Sequence, residues 1–423
     1  MKKMPQVIKQ SFLSGMVAFI RIVTSFATNK ILAVILGPVS FAMVGQFQNL
    51  MMAAQAGGSL SIQNGWVSLT SQYAEDEDRR FSLWRSGLIL SGISILFVSI
   101  FLLIASWTGA FHFLFPDVSE RMLRIALLCA IPGVIGMVLF SIVQSIANGF
   151  SAFKLWAFLS ISTYLTQALW VILFVLWNKD LILIVLATQS LVALFISLFI
   201  AYKKKIFSRL IKSTSFGYNV WKKYALMGII PMILTPIVLT AIRSLIGTSI
   251  GWHEAGLWQG AFRISDFFNV AFSSVLGVIL LPKLSKLKNE KSFFKTLWYA
   301  LLGVLLVAFI LIFSMFFLKE FVIQFILSEE FLPVAKQMHL QWIGDFFRCG
   351  SWCLGIGLIA KQSAKAFLFL EILSQSLFFI LSFIGISSLG ITAPFGAYAI
   401  ENVLCFIFIL LFTIRNHYTW KPL

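Results

Sequence analysis

Acidic side chains are scarce in this sequence: 16 Asp and Glu in 423 residues. Charge of either sign is sparse, at 12% of the chain, about half of the ~25% usual for a soluble domain. So little charge cannot clothe a water-facing surface of ordinary size, and little room is left for any soluble domain. Cysteine is limited to Cys129, Cys349, Cys353 and Cys405, all inside apolar runs. Cys349 and Cys353 are four apart and form no CxxC, so neither a disulfide framework nor a thiolate metal site is expected; small packing residues are. The four histidines, His112, His253, His339 and His417, show no HExxH or other ligand spacing. There is no GxxxxGK[ST] loop and so no built-in nucleotide motor. There is also no GxSxG or arguable Ser/His/Asp set. No metal, no cofactor and no enzymatic activity are expected.

What the chain does have is apolar length. Hydrophobic residues make up 59% and the mean hydropathy is +0.93. A spanning helix needs about 20 mainly apolar residues, and the sequence predicts twelve: 11–36, 39–72, 82–107, 119–147, 151–177, 180–202, 222–248, 254–281, 293–318, 331–360, 364–387 and 392–414. Polar residues interrupt the second and the tenth. The N-terminal apolar run is too long for a signal-peptide core and lacks an obvious cleavage site, so it reads as the first span. The expected fold is an all-α polytopic membrane protein.

Net charge is +17. In a soluble protein that excess would suggest nucleic acid; here it belongs to loops on one side and to the spans themselves. Lys2, Lys3 and Lys9 share a side with Arg79 and Arg80, with the run Lys203, Lys204, Lys205, Arg209, Lys212, Lys222 and Lys223, with Lys283 to Lys295, with Lys361 and Lys365, and with Arg415 and Lys421. The opposite loops, around GPVS, 108–118, 178–179, GTSIGWHE, 319–330 and 388–391, are short and hold only Lys179 and Lys319. By the positive-inside rule both termini are cytoplasmic, which requires an even number of spans. The basic loop near the centre divides six spans from six: a lobe over 1–205, a linker over 206–221 and a lobe over 222–423. Its charge serves orientation and attraction to anionic headgroups.

The halves resemble each other. FAMVGQFQNLMMAAQ at 41–55 and GLWQGAFRISDFFNV at 256–270 both follow a short Gly-containing loop, and both carry G-x-F, at Gly45–Phe47 and Gly260–Phe262. Lys30 precedes the first motif at nearly the interval by which Arg243 precedes the second. Two halves that begin on the same side make a parallel repeat, related by an axis along the membrane normal, with a substrate site near midplane between them and alternating access by rocking. Pro132, Pro231, Pro236 and Gly57–Gly58 are candidate hinges or ordinary packing sites.

Charges inside spans cost at least about 2.5–3.5 kcal/mol each and mark function by default. Arg21, Lys30, Arg243, Arg263 and Arg348 are the embedded cations; Asp266, Asp345, Glu371 and Glu401 are the embedded acids. Arg124 lies nearer a span end. Arg263/Asp266 and Asp345/Arg348 are i,i+3 pairs that can neutralise themselves. Lys30 and Arg243 lie toward span ends and can snorkel; Arg21 sits mid-span. A net-positive interior suits an anionic passenger, and Arg matches phosphate oxygens in bidentate geometry. Glu371 and Glu401 fit an ion-coupling site or a wet cavity.

KILAVILGPVSFAMVGQFQNL, GLWQGAFRISDFFNVAFSSVLGVILLPKLSKL and QWIGDFFRCGSWCLGIGLIAKQSAKAFLFLEILSQ resemble the Wzx-type flippases, lipid III flippases and O-antigen translocases, of the multidrug/oligosaccharidyl-lipid/polysaccharide exporter superfamily. The resemblance runs along essentially the whole chain, and the WQG…ISD and QW-x-GD blocks are its specific parts. It implies two six-helix lobes set as a V, a cationic central cavity, and transfer of an undecaprenyl-diphosphate-linked sugar unit from the cytoplasmic to the periplasmic leaflet. It puts Lys30, Arg243, Arg263, Asp266, Asp345 and Arg348 in matching blocks, although Arg263 departs from the small polar residue often found before ISD. Membrane lipids are implied partners, polysaccharide polymerase and chain-length proteins are candidate ones, and a monomer is the expected state in the bacterial inner membrane. The competing readings are a multidrug or cation exporter of the same superfamily, which would prefer an acidic cavity, and a membrane polysaccharide polymerase, which would need a longer outer loop.

Overall fold

The computed structural model describes residues 6–203, 218–276, 280, 283–284, 287, 289–360 and 364–419. Most of the expected linker, with Arg209 and Lys212, lies outside the described residues, as do Lys2, Lys3, Lys204, Lys205, Lys286, Lys288, Lys361 and Lys421.

Among the described residues every regular element is helical. They are α1 Gln6–Ser59, α2 Gln63–Gln72, α3 Glu77–Thr108, α4 Glu120–Gly149, α5 Phe153–Trp177, α6 Ile182–Thr188, α7 Leu191–Lys203, α8 Asn219–Ser249, α9 Trp252–Val275, α10 Glu290–Phe317, α11 Lys319–Ile326, α12 Met338–Ala360, α13 Ala364–Leu389 and α14 Thr392–Thr419. Short 3-10 segments include Glu329–Lys336, just before α12. Nine helices among the described residues are long and apolar enough to cross a membrane. The first of them, Leu13–Gln72, takes in the kinked α1 and α2, and its 60 residues exceed twice the about 20 that one span needs. The expected count of twelve is consistent with this set. The charge-bearing α9 and α12 fall outside the nine, although at 24 and 23 residues they are also long enough to span.

Several sequence boundaries shift. The loop expected at GPVS is a kink within α1: Gly37 takes φ 66 and ψ 178, a region open essentially to glycine alone, and Pro38 supplies no N–H to continue the ladder. The expected span 39–72 stops at Ser59, because Leu60 and Ser61 both turn to positive φ before α2 begins. The expected span 180–202 is divided between α6 and α7. At the break the Ser190 hydroxyl donates to the Gly133 carbonyl of α4, 2.8 Å away. The expected tenth span, 331–360, starts later as α12, and the expected loop at 319–330 contains α11. Pro132, Pro231 and Pro236 all sit inside continuous helices.

Polar caps set other ends as their sequences suggest. Asp76 accepts from the Arg79 N–H at 3.0 Å, Ser119 from Met122 at 3.3 Å and Asn289 from Ser292 at 3.3 Å, each satisfying a donor the first turn leaves open. Large apolar side chains face outward along the long helices, including Phe97 and Phe101 on α3, Leu173 and Trp177 on α5, and Leu306 and Phe309 on α10. Water would penalise that surface; hydrocarbon does not. The protein is a multi-pass membrane protein.

Contacts divide the chain into two compact units: Met1–Thr28 with Met43–Ile237, and Asn29–Ala42 with Val238–Leu423. The middle of α1 therefore packs with the second unit. In the first unit Trp66 and Trp221 pack at 4.9 Å between ring centroids, and Trp84 donates to Thr70 at 3.1 Å. In the second, Cys353 belongs to one apolar cluster with Leu276, Leu280, Phe293, Leu297, Leu301 and Leu354. Cys349 and Cys405 are buried too, in keeping with their expected packing role.

Candidate functional site

The embedded charges of the second unit form two neighbouring groups, both built on α9. Its start is fixed by Gly256, where a Cβ would collide with the Pro38 backbone at the α1 kink. That seat sets the rotation of the helix and hence which side chains face α8, α12 and α14.

The first group joins α8 and α9. Arg243 is 1% exposed. Its guanidinium donates to the Gln259 side-chain oxygen and lies 5.6 Å from the Trp258 ring centre. Arg243 therefore does not snorkel as its position near a span end allowed: α9 supplies an amide acceptor and an aromatic face, and a cation–π contact replaces part of the lost hydration. One turn further along α9, Arg263 and Asp266 pair at 3.3 Å, as their spacing predicts, with 22% and 41% of their side chains exposed. The fields of both reach Arg243. Two cations and one acid leave this group net positive and partly open.

The second group joins α9, α12, α13 and α14. Asp345 has no exposed surface. It accepts from Ser265 at 2.6 Å, from Asn269 at 3.2 Å and from the Tyr398 hydroxyl at 2.8 Å. Arg348 in turn donates to that hydroxyl oxygen at 3.1 Å and stacks 5.0 Å from the Trp352 ring centre. The expected self-neutralising Asp345/Arg348 pair is thus replaced by a relay in which Tyr398 stands between the two charges. Three donors satisfy a carboxylate that burial would otherwise destabilise by several kcal/mol.

Arg348 also faces a cavity of about 250 Å³ lined by Glu371, Ser374, Gln375, Glu401 and Asn402. Glu401 is 3% exposed and accepts from Ser374 and, at 2.7 Å, from Asn402. Gln375 Oε1 and Ser351 Oγ, both on lining residues, have no hydrogen-bond partner among the described residues. With two carboxylates and a free amide oxygen against one guanidinium, the cavity is richer in acceptors than in cations.

Two expected site residues lie apart. Lys30 donates its ammonium to the Gln324 carbonyl at 2.5 Å, near the C-terminus of α11, where a cation offsets the helix dipole. Arg21 is exposed on α1. Arg124 pairs with Glu120 at 3.3 Å, also exposed. Residues not singled out from sequence include Tyr398, Ser265, Asn269, Gln259, Trp258, Ser374 and Asn402. Their signal was helical spacing: Ser265/Asn269 and Tyr398/Asn402 are i,i+4 polar pairs inside apolar helices.

The sequence matches the family described as polysaccharide biosynthesis protein over residues 7–288. It is 22% identical over 403 residues to the Lipid III flippase of Escherichia coli (strain K12), covering 94% of this chain and 96% of that one; the Lipid III flippase of Shigella flexneri gives the same values. Among solved structures, an inward-facing multidrug resistance MATE family transporter of the MOP superfamily superposes with a TM-score of 0.70 at 15% identity, over 97% of this chain and 98% of that one. The lipid II flippase MurJ in an inward closed conformation also gives 0.70 at 15% identity, over 97% and 89%. These likenesses establish the two-lobe transporter fold. With two-thirds of its length matched by the family profile, the chain belongs to the polysaccharide biosynthesis protein family.

Proposed function

We propose that this protein is a flippase for an undecaprenyl-diphosphate-linked oligosaccharide repeat unit, of the O-antigen or enterobacterial-common-antigen type, moving it from the cytoplasmic to the periplasmic leaflet by alternating access. It is a transporter rather than an enzyme. The observation that carries the reading is the end-to-end similarity to Lipid III flippase over 403 residues. The net-positive Arg243–Arg263–Asp266 group supports it, because a doubly anionic diphosphate is what such a group attracts.

Within that reading Arg263, partly exposed, meets the diphosphate, and buried Arg243 holds the local potential positive. Arg21 and Lys30 complete the set of cations available to the substrate, with Lys30 released from Gln324 when it engages. Asp266 orients Arg263. The Glu371–Glu401 cavity takes a small cation, proton or sodium, and Arg348 with Asp345 sets its electrostatics. The lobes are those of the charge pattern, 1–205 and 222–423 about the 206–221 linker, with both termini cytoplasmic. The protein works as a monomer that hands its product to a polysaccharide polymerase and its chain-length partner.

The test is periplasmic repeat units counted in cells carrying Arg263→Ala against wild type at equal membrane abundance. A fall of tenfold or more is expected; unchanged flux removes Arg263 from the site. Drug resistance on expression, with surface glycan unaffected by deletion, would instead favour a multidrug exporter.

A further inference from the structure

The Asp345–Tyr398 network and the Glu371–Glu401 cavity share one residue, Arg348. Its guanidinium donates to the Tyr398 hydroxyl at 3.1 Å, and that hydroxyl donates in turn to Asp345. Arg348 also lines the cavity, with Trp352 of α12, Glu371 and Gln375 of α13 and Glu401 of α14. The fields of Glu401 and Glu371 both reach it. A guanidinium carries five N–H donors, so the bond to Tyr398 leaves others for a second acceptor. A single cation therefore stands between two sets of acceptors, the phenol backed by Asp345 and the two cavity carboxylates.

Three features suit Arg348 to pass between them. The Trp352 and Tyr398 ring centres lie 5.0 Å and 5.8 Å from its guanidinium, and Trp352 itself lines the cavity, so the cation keeps an aromatic face in either place. The cavity, about 250 Å³, has the volume of several water molecules at about 30 Å³ each, enough for the side chain to turn. Its wall also carries acceptors in excess. Gln375 is 7% exposed, and among the described residues its Oε1 and the Ser351 Oγ have no hydrogen-bond partner. Buried oxygens are satisfied by a donor or a cation, and here they sit beside carboxylates.

We propose that Arg348 is a tethered cation that competes with a soluble cation for Glu371 and Glu401. Held by Tyr398, as in this structure, the guanidinium leaves room at the carboxylates for an ion; turned onto them, it expels the ion. The inference rests on the reading of this cavity as a small-cation site and adds what makes the cation leave. Two cations at the same carboxylates repel each other, so each position of Arg348 favours one state of the site. The ion shifts that equilibrium only by its preference for one of the two positions. Without the competitor, two carboxylates would bind the ion more tightly and release it more slowly.

The test is binding of radioactive sodium to the purified protein in detergent, in a choline buffer. Arg348→Gln is expected to bind sodium at least tenfold more tightly than wild type. Adding Glu401→Gln to it should remove that gain, which assigns the gain to this cavity. Tyr398→Phe, which releases the guanidinium toward the carboxylates, is expected to weaken sodium binding severalfold. A residue that only braced the helices would not give opposite signs in these two variants. Unchanged or weaker binding in folded Arg348→Gln, a gain that survives Glu401→Gln, or unchanged or tighter binding in Tyr398→Phe overturns the proposal. Tyr398→Phe alone decides it should the glutamine variant misfold. The underlying reading fails separately, in cells. Unchanged surface glycan on deletion removes the flippase assignment, and gradient dependence retained in Glu401→Gln removes the coupling role; either outcome leaves the sodium competition at Arg348 standing.

Discussion

The Tyr398 hydroxyl donates to Asp345 at 2.8 Å while its oxygen accepts from Arg348, so one side chain of α14 both satisfies the acid and holds the cation of α12. A direct contact between the two charges would close the network on itself. The interposed phenol instead leaves the guanidinium turned toward the cavity that holds Glu371 and Glu401.

Tyr398→Phe removes that link while keeping the ring packed against Phe262 and Phe378. Asp345 then keeps two of its three donors and Arg348 loses its partner. A loss of about 1–3 kcal/mol is expected from leaving buried polar groups short of a bond, read as a lower unfolding temperature in detergent.

Arg243 and Arg263 should separate when each is changed. Arg243→Met removes a fully buried cation and leaves the Gln259 side-chain oxygen without its donor, which should cost about 1–3 kcal/mol of stability together with activity. Arg263→Ala breaks a partly exposed pair worth at most about 1 kcal/mol, so thermal unfolding should barely move while repeat-unit flux falls. Equal melting losses in the two variants would contradict the division of roles.

Glu401→Gln keeps the shape of the side chain but places an NH₂ donor among groups that already donate, Ser374 and Asn402. Transport driven by an imposed proton or sodium gradient should lose its dependence on that gradient, while downhill movement without one persists. Glu371→Gln, on the same cavity, should act in the same direction. Gradient dependence retained in both would detach the cavity from coupling.

Lys30→Met tests whether the ammonium at Gln324 serves structure or substrate. A helix-terminal cation contributes about 0.3–1 kcal/mol, so the cap alone predicts a small drop in unfolding temperature. The proposed exchange with substrate predicts a fall in flux of severalfold beyond that. Flux equal to wild type would restrict Lys30 to the cap.

Much of this molecule was legible from its sequence because the controlling physics is local. Long apolar runs have no stable home outside a bilayer, so the class and the approximate spans followed from composition and length. The Arg263/Asp266 pair followed from helical spacing. Tertiary structure decided what crosses between helices: Asp345 meets Ser265 and Tyr398, 80 and 53 residues away, and the i,i+4 spacing that marks Ser265 and Tyr398 as polar positions does not say which other helix they meet. It also buried Arg243, whose place near a span end allowed it to snorkel, gave Lys30 a backbone carbonyl and split the sixth span at Ser190. The sequence alone determined that charges inside this membrane protein need partners, because burying them bare is too costly. Which partners they have, and which of the charges stay open to a ligand, depends on how helices distant in sequence pack together.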